Sequence, residues 1–187
     1  MKVWFVVLAV LAAAALALGA VASADVFKGT KGNDTIIGTP GPDLVAARAG
    51  DDTVDGEAGN DRIYGGRGND RLLGGAGDDF VRGGPGRDTI EGQAGNDVLR
   101  GRPGDDVVNG GDGNDRIWVG SGADIENGGD GNDVMHALAP DNQVDRVDCG
   151  PGDDVAYENA SEHDVFANCE KVITLTVTPK QAAEDDK

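Results

Sequence analysis

The sequence predicts an all-β solenoid, with short strands joined by glycine-rich turns and stacked along one axis. A strict nine-residue period over more than half the chain, and a composition that cannot support an ordinary core, carry that prediction. The period comes first, because an overlooked repeat misassigns the whole fold. From Gly29 to His136 the chain divides into twelve consecutive rows of nine without a gap. The sixth position is Asp in every row: Asp34, Asp43, Asp52, Asp61, Asp70, Asp79, Asp88, Asp97, Asp106, Asp115, Asp124 and Asp133. The fourth is Gly throughout, from Gly32 to Gly131. The eighth is aliphatic or Met, from Ile36 through Leu72 and Ile117 to Met135, with Glu126 the one break. The first is Gly except at Ala47 and Val119.

Each column has a physical reason. Glycine at positions one, two and four permits positive φ and close approach of neighbouring backbones, so each row opens with a turn. The residues around position eight are β-prone and carry one apolar side chain, which makes a very short strand with position eight inward and positions seven and nine outward. One inward side chain cannot bury itself alone, so the rows have to stack. A flexible glycine-rich linker has no reason to hold three columns in phase across twelve rows.

Composition narrows the partners. The 187 residues include 31 glycines, and 34 acidic residues stand against 16 basic ones, a net charge of -18. With so little apolar bulk to offset chain entropy, such a sequence would stay disordered unless something neutralised the acid. Nucleic acid and anionic membrane are polyanions and are disfavoured. Cations are the natural partner.

The ends read differently from the middle. Lys2, the apolar run from Val3 to Ala20 and the small-x-small triplet Ala22-Ser23-Ala24 have the form of a cleavable signal peptide over 1–24, and hence of a secreted protein. An uncleaved anchor is the competing reading, since the run approaches the ~20 residues that a membrane span needs. Cleavage leaves Asp25 first and 25–28 as a short lead-in. After His136 the phase slips by three residues and two degenerate rows follow, with Asp145 and Asp154 at position six. Residues 137–172 are read as a cap against exposure of the last strand edge, and 173–187 as a final strand and mobile polar tail. Cys149 and Cys169 lie in the exported portion, where an oxidising milieu lets thiols pair. No CxxC or basic neighbour supports a redox role.

Rows such as Gly65 to Leu73 (GGRGNDRLL) and Gly110 to Trp118 (GGDGNDRIW) resemble the Gly-Gly-x-Gly-x-Asp-x-U-x repeat of RTX, or haemolysin-type, calcium-binding proteins. The resemblance covers 108 of 187 residues. It implies a right-handed parallel β-roll with two rows per turn, hence about six turns plus the C-terminal cap. It further implies Ca²⁺ between successive loops on the same side, held by the twelve sixth-position aspartates and by carbonyls of the glycine-rich loop. The segment holding Cys149 and Cys169 resembles the terminal element of certain secreted repeat proteins of this kind, in which paired cysteines close the last turn. Many members leave the cell by an uncleaved C-terminal signal, from which the N-terminal leader here departs.

The chemistry of the column agrees with that ion. Calcium takes six to eight oxygens with loose geometry, and carboxylates and peptide carbonyls supply them. Magnesium demands stricter octahedral geometry. Zinc prefers His or Cys, and His136 and His163 are too scattered for it and are read as solvated surface residues. Asn33, Asn60, Asn69, Asn96, Asn114 and Asn132 at position five are read as turn formers. A folding reaction linked to ion uptake is expected.

No enzyme is expected. Only 25–28 lie between the presumed cleavage point and the first row, neither HExxH nor GxSxG occurs, and Ser121 and Ser161 have no sequence partner that would activate them. A repeated carboxylate array is metal scaffolding rather than acid–base machinery. The alternative is recognition by an outward strand face. Positions seven and nine of the even rows give Arg62, Tyr64, Phe80, Arg82, Arg100, Arg116 and Trp118, whereas the odd rows give Thr35, Thr53, Asp55, Thr89, Glu91, Asn109 and Asn127. Cell-surface polysaccharide or a protein is the partner such a basic, aromatic face suits. Ice binding is disfavoured, because the outward columns lack a regular Thr or Asn ladder. A monomer is expected.

Overall fold

The computed structural model describes residues 24–176, and every strand pair within them is parallel. The expected leader and the distal tail lie outside the described residues. Nine strands form one sheet: β1 (Asp25–Lys28), β3 (Asp43–Ala49), β5 (Arg62–Arg67), β7 (Phe80–Arg82), β9 (Val98–Arg100), β11 (Arg116–Trp118), β13 (Val134–Ala137), β15 (Val155–Asn159) and β17 (Lys171–Leu175). Eight form the other: β2 (Thr35–Ile37), β4 (Thr53–Asp55), β6 (Arg71–Ala76), β8 (Thr89–Ala94), β10 (Val107–Asp112), β12 (Ile125–Asp130), β14 (Arg146–Asp148) and β16 (Val165–Ala167). The chain alternates between sheets with each row, so two rows make one turn. Partners are 18 residues apart through the rows, as in Ile63↔Val81 and Leu72↔Ile90.

The coil is longer than six turns with a separate cap. Strand β1 pairs with β3 from Asp25↔Asp43 onward, so the lead-in is already part of the first sheet. At the other end β14 to β17 continue both sheets, giving about eight turns. The register absorbs the slip after His136, because Ile125 faces Arg146, Val134 faces Val155, Arg146 faces Val165 and Val155 faces Lys171. The cap is thus made of further coils with loops of altered length.

The core is a single file of position-eight side chains between the sheets. Val45, Val54, Ile63, Leu72, Val81, Ile90, Leu99, Val108, Ile117 and Met135 are buried. Ala47 and Val119 at position one, with Ala137 and Cys149, join the same cluster, but position eight supplies most of its bulk, which is why one large apolar residue per row suffices once the rows stack. Glu126 takes the same inward place, in register with Val108 and Val147. It is buried, and neither carboxylate oxygen has a hydrogen-bond partner. Burial, reinforced by the charges of Asp145, Asp124 and Asp164, pushes its carboxyl well above the usual range and so favours the uncharged form. Glu126→Leu restores the apolar column and removes a buried group without a partner. It should stabilise the protein by about 2 kcal/mol, read as a higher thermal midpoint in calcium-containing buffer.

Cys149 and Cys169 form a disulfide with Cα atoms 5.1 Å apart. They follow β14 and β16 on adjacent turns of the same edge, where the Cys149 N–H also donates to Ala167 O. The bond therefore staples the last turn to the one before it. In the chain-entropy description, opening a loop of this size costs about 3 kcal/mol. Replacing both cysteines by Ala should raise amide hydrogen exchange in β14 to β17 while leaving β5 to β10 protected.

Candidate metal sites between stacked turns

Position six lies at the mouth of each strand, and its carboxylate reaches along the solenoid axis. In row after row, Oδ1 accepts the backbone N–H of the aspartate one turn earlier. Asp34 donates to Asp52, Asp43 to Asp61, Asp70 to Asp88 and Asp106 to Asp124, at 2.7–2.8 Å. The two columns place Asp34, Asp52, Asp70, Asp88, Asp106 and Asp124 on one edge, and Asp43, Asp61, Asp79, Asp97, Asp115 and Asp133 on the other. From Asp52 to Asp133 all ten are almost fully buried.

The second oxygen is the unusual one. Oδ2 of Asp52, Asp61, Asp70, Asp79, Asp88, Asp97, Asp106, Asp115, Asp124 and Asp133 is buried and has no hydrogen-bond partner. Buried acceptors are almost always satisfied, and here ten repeat the same exception. Glycine at position one makes room for it, since a methyl group on Gly56 would come within 2.6 Å of Asp61 Oδ2. From row three on, position two adopts positive φ whether it is Gly66 (120°) or a side-chain-bearing residue, as at Arg48 (87°), Glu57 (72°), Gln93 (81°) and Arg102 (94°). A non-glycine residue there is strained, so the turn conformation is imposed by the stack and not by local preference.

The first two rows differ. Thr30 and Thr39 stand at position two, and their N–H and hydroxyl groups approach Oδ2 of Asp34 and Asp43. Each hydroxyl also lies 3.4 Å from the carbonyl oxygen of the position-four glycine, Gly32 or Gly41. A threonine hydroxyl thus sits between a carboxylate and a loop carbonyl in rows one and two, the same two kinds of oxygen that later rows present.

The ladder extends past the twelve rows. Asp124 and Asp133 donate to Oδ1 of Asp145 and Asp154, and these in turn donate to Asp164 Oδ1 (3.0 Å) and Glu170 Oε2 (2.8 Å). At the start, Asp25 N–H donates to Asp43 Oδ1. Position-based reading had not singled out Asp164 and Glu170. Their signal is the tripeptide acid-x-apolar, Asp164-Val165-Phe166 and Glu170-Lys171-Val172, without the glycine preamble.

Position five does more than form turns. Asn33 Oδ1 accepts from Asp51 N–H, Asn69 Oδ1 from Arg87 and Asn114 Oδ1 from Asn132, each one turn later. This outer ladder runs in the opposite sense to the aspartate ladder, so each loop is tied to both neighbours. His136 also differs from expectation, being half-buried and stacked between Trp118 and Tyr157, with ring centroids 4.6 and 4.9 Å away.

Among the described residues no three His, Cys, Asp or Glu side chains converge on one point. A cation at these loops would therefore draw carboxylate from successive turns together with peptide carbonyls, a donor set that suits a hard ion with loose geometry and not zinc.

Fold and loops together define a parallel β-solenoid whose turns are lined by buried aspartates. The chain belongs to the family described as the RTX calcium-binding nonapeptide repeat (4 copies). That family's model matches overlapping stretches over 21–54, 28–63, 37–72, 55–90, 64–99, 73–108, 91–126 and 100–135. A search of the curated proteins finds no match. Calcium-binding repeats on a solenoid with acidic turns point to calcium as the ion.

Burial sets the electrostatics of the ion-free loops. It lifts Asp61, Asp70, Asp115 and Asp133 to about 6, Asp79, Asp88, Asp97 and Asp124 to about 7, and Asp106 to about 9. The backbone N–H bond from the preceding turn opposes the rise, and repulsion from same-edge neighbours adds to it. An unfolded aspartate titrates near 4, so the ion-free fold holds protons that the unfolded chain has already lost. The stability these groups contribute is full below about 4 and is lost as pH rises through about 6 to 9. In chelator, β-sheet circular dichroism and the urea midpoint should therefore fall between pH 4 and pH 7, the reverse of ordinary acid denaturation.

Proposed function

We propose that this chain is a secreted calcium-binding β-solenoid, with the sixth-position aspartates as carboxylate ligands and folding coupled to ion uptake. When bound, calcium supplies positive charge and oxygen coordination between turns that would otherwise repel. The single observation that supports this reading is the row of ten buried Oδ2 atoms without partners. Each carboxylate is already oriented by the N–H bond to its Oδ1, so its second oxygen is presented to the gap at no further cost in side-chain freedom. Glycine at positions one, two and four lets loop carbonyls face the same gap. Asp34 and Asp43 belong to the same columns, but Thr30 and Thr39 already supply hydroxyl contacts there. Thus Asp52 to Asp133 are the stronger ligands.

Extracellular location agrees with the leader-like start of the sequence, the disulfide and the millimolar calcium outside cells, for which an affinity of ~10⁻⁴–10⁻³ M is suited. A non-catalytic role is the simplest reading of a regular carboxylate array.

Calorimetric titration with calcium, followed by circular dichroism before and after chelation, tests the reading. Uptake of several ions at neutral pH with gain of β signal is expected. Asp79→Asn with Asp97→Asn should lower the number of ions bound and shift the calcium midpoint upward roughly tenfold, about 1.4 kcal/mol. No uptake at millimolar calcium, or an unaltered spectrum after chelation, would overturn the proposal.

A further inference from the structure

We infer that the outer face of the nine-stranded sheet is a binding surface for a linear polysaccharide that carries carboxylate groups. The face is set apart by charge. On a chain of net charge -18, positions seven and nine from Leu44 on β3 to Tyr157 on β15 carry no Asp or Glu. Arg62, Arg82, Arg100 and Arg116 stand on four consecutive strands, β5 to β11, and none has an ion pair among the described residues. The opposite sheet is mixed, with Asp55, Glu91 and Asp148 outward and Arg71 paired to Glu91 at 2.8 Å. Four unpaired guanidinium groups gathered on one side of an acidic protein are complementary to an anion and to little else.

Ring geometry decides between charged and neutral glycans. A neutral sugar is held by an open aromatic face. From Trp118 to Tyr157 the faces are spent on neighbours: Trp118 stacks on His136 at 4.6 Å and His136 on Tyr157 at 4.9 Å, nearly parallel, whereas Tyr64 is only tilted against Phe80, at 49°. The Arg100 guanidinium fills the next rung, 5.0 Å from the Trp118 ring centre and 5.9 Å from that of Phe80. Stacked in this way, the rungs from Arg100 to Tyr157 leave outward their ring edges, which are positively polarised, together with guanidinium forks that match carboxylates. Arg100 Nε is moreover buried without an acceptor, so this arginine is held by packing and not by a carboxylate of the chain itself.

Spacing favours a linear polymer with one charge per sugar. Strands follow each other every ~4.8 Å, close to the advance of one pyranose ring in an extended 1,4-linked chain, so a polymer laid along the axis meets one rung per ring. Nucleic acid is a poor fit, since its denser charge is repelled by the acidic turns that flank the face. This inference rests on the calcium reading only in that ions on the turns lessen that repulsion.

The test is calorimetric titration of the calcium-loaded full chain with short oligogalacturonates, too short to cross-link through calcium. Neutral malto-oligosaccharides and single-stranded DNA of equal length serve as comparisons. Saturable binding of the uronate alone is expected, weakened at least tenfold in Arg82→Gln/Arg100→Gln, with the calcium-induced dichroism unchanged. Should that variant misfold, the exposed pair Arg62→Gln/Arg116→Gln gives the same readout. Undiminished affinity in a folded variant means that calcium on the turns bridges the sugar, and overturns the inference. Equal binding of the neutral or nucleic acid chain, or no binding at all, overturns it too. Uronate binding that survives chelation in a chain that takes up no calcium would uphold this face and remove the calcium reading.

Discussion

Everything in this molecule hangs on one hydrogen bond repeated along two edges, from the backbone N–H of one aspartate to Oδ1 of the aspartate a turn later. It fixes the distance and phase between coils, and it brings a formal negative charge into a place shielded from water. The price is the second oxygen. An ordinary domain would satisfy that atom with a donor of its own, and rows one and two do so with Thr30 and Thr39. From Asp52 to Asp133 that atom is left buried without a hydrogen-bond partner, so under the calcium reading proposed above the cohesion of the stack would depend on the medium as well as on the chain.

The core explains why the arrangement is tolerated. A single file of aliphatic side chains gives each turn little apolar contact, far less than a layered domain gains from two packed faces. Additional cohesion has to come from the backbone, from the position-five and position-six ladders, and from whatever neutralises the carboxylates. The opposite directions of the two ladders matter here. Each loop donates to a carboxylate on one neighbour and to an Asn or Asp side chain on the other, so no turn can loosen without breaking bonds on both sides.

Most of the fold was legible from the period alone, because a residue at a fixed place in a nine-residue row meets its own kind a turn away. The twelve aspartates, the inward column and the outward positions seven and nine all follow from that rule. The ends were harder. Asp25 and Phe27, Asp164 and Phe166, and Glu170 and Val172 keep the acid-x-apolar step but lose the glycine turn and the constant spacing, so a search by phase passes over them. Within the site, the T-x-G-x-D pattern of rows one and two is plain in the sequence, but the meeting of hydroxyl, carboxylate and carbonyl depends on how the loop closes. His136 was misread as solvated because nothing local indicates that Trp118 and Tyr157 lie one coil to either side. Glu126 was recognised as a break, but the upward push on its carboxyl comes from burial first and then from acids partly brought near from other turns.

Alternation between the sheets carries a consequence for how such a chain can change length. Because partners recur at 18 residues while each row of nine crosses to the other side, adding or removing eighteen residues preserves every later strand's allegiance. An indel of nine leaves the inward column intact but transposes all downstream strands, so that the arginine flank and the threonine flank exchange sides midway along the rod. Growth by pairs of repeats is therefore silent for surface identity, whereas growth by a single repeat divides the molecule into two segments of opposed outer character.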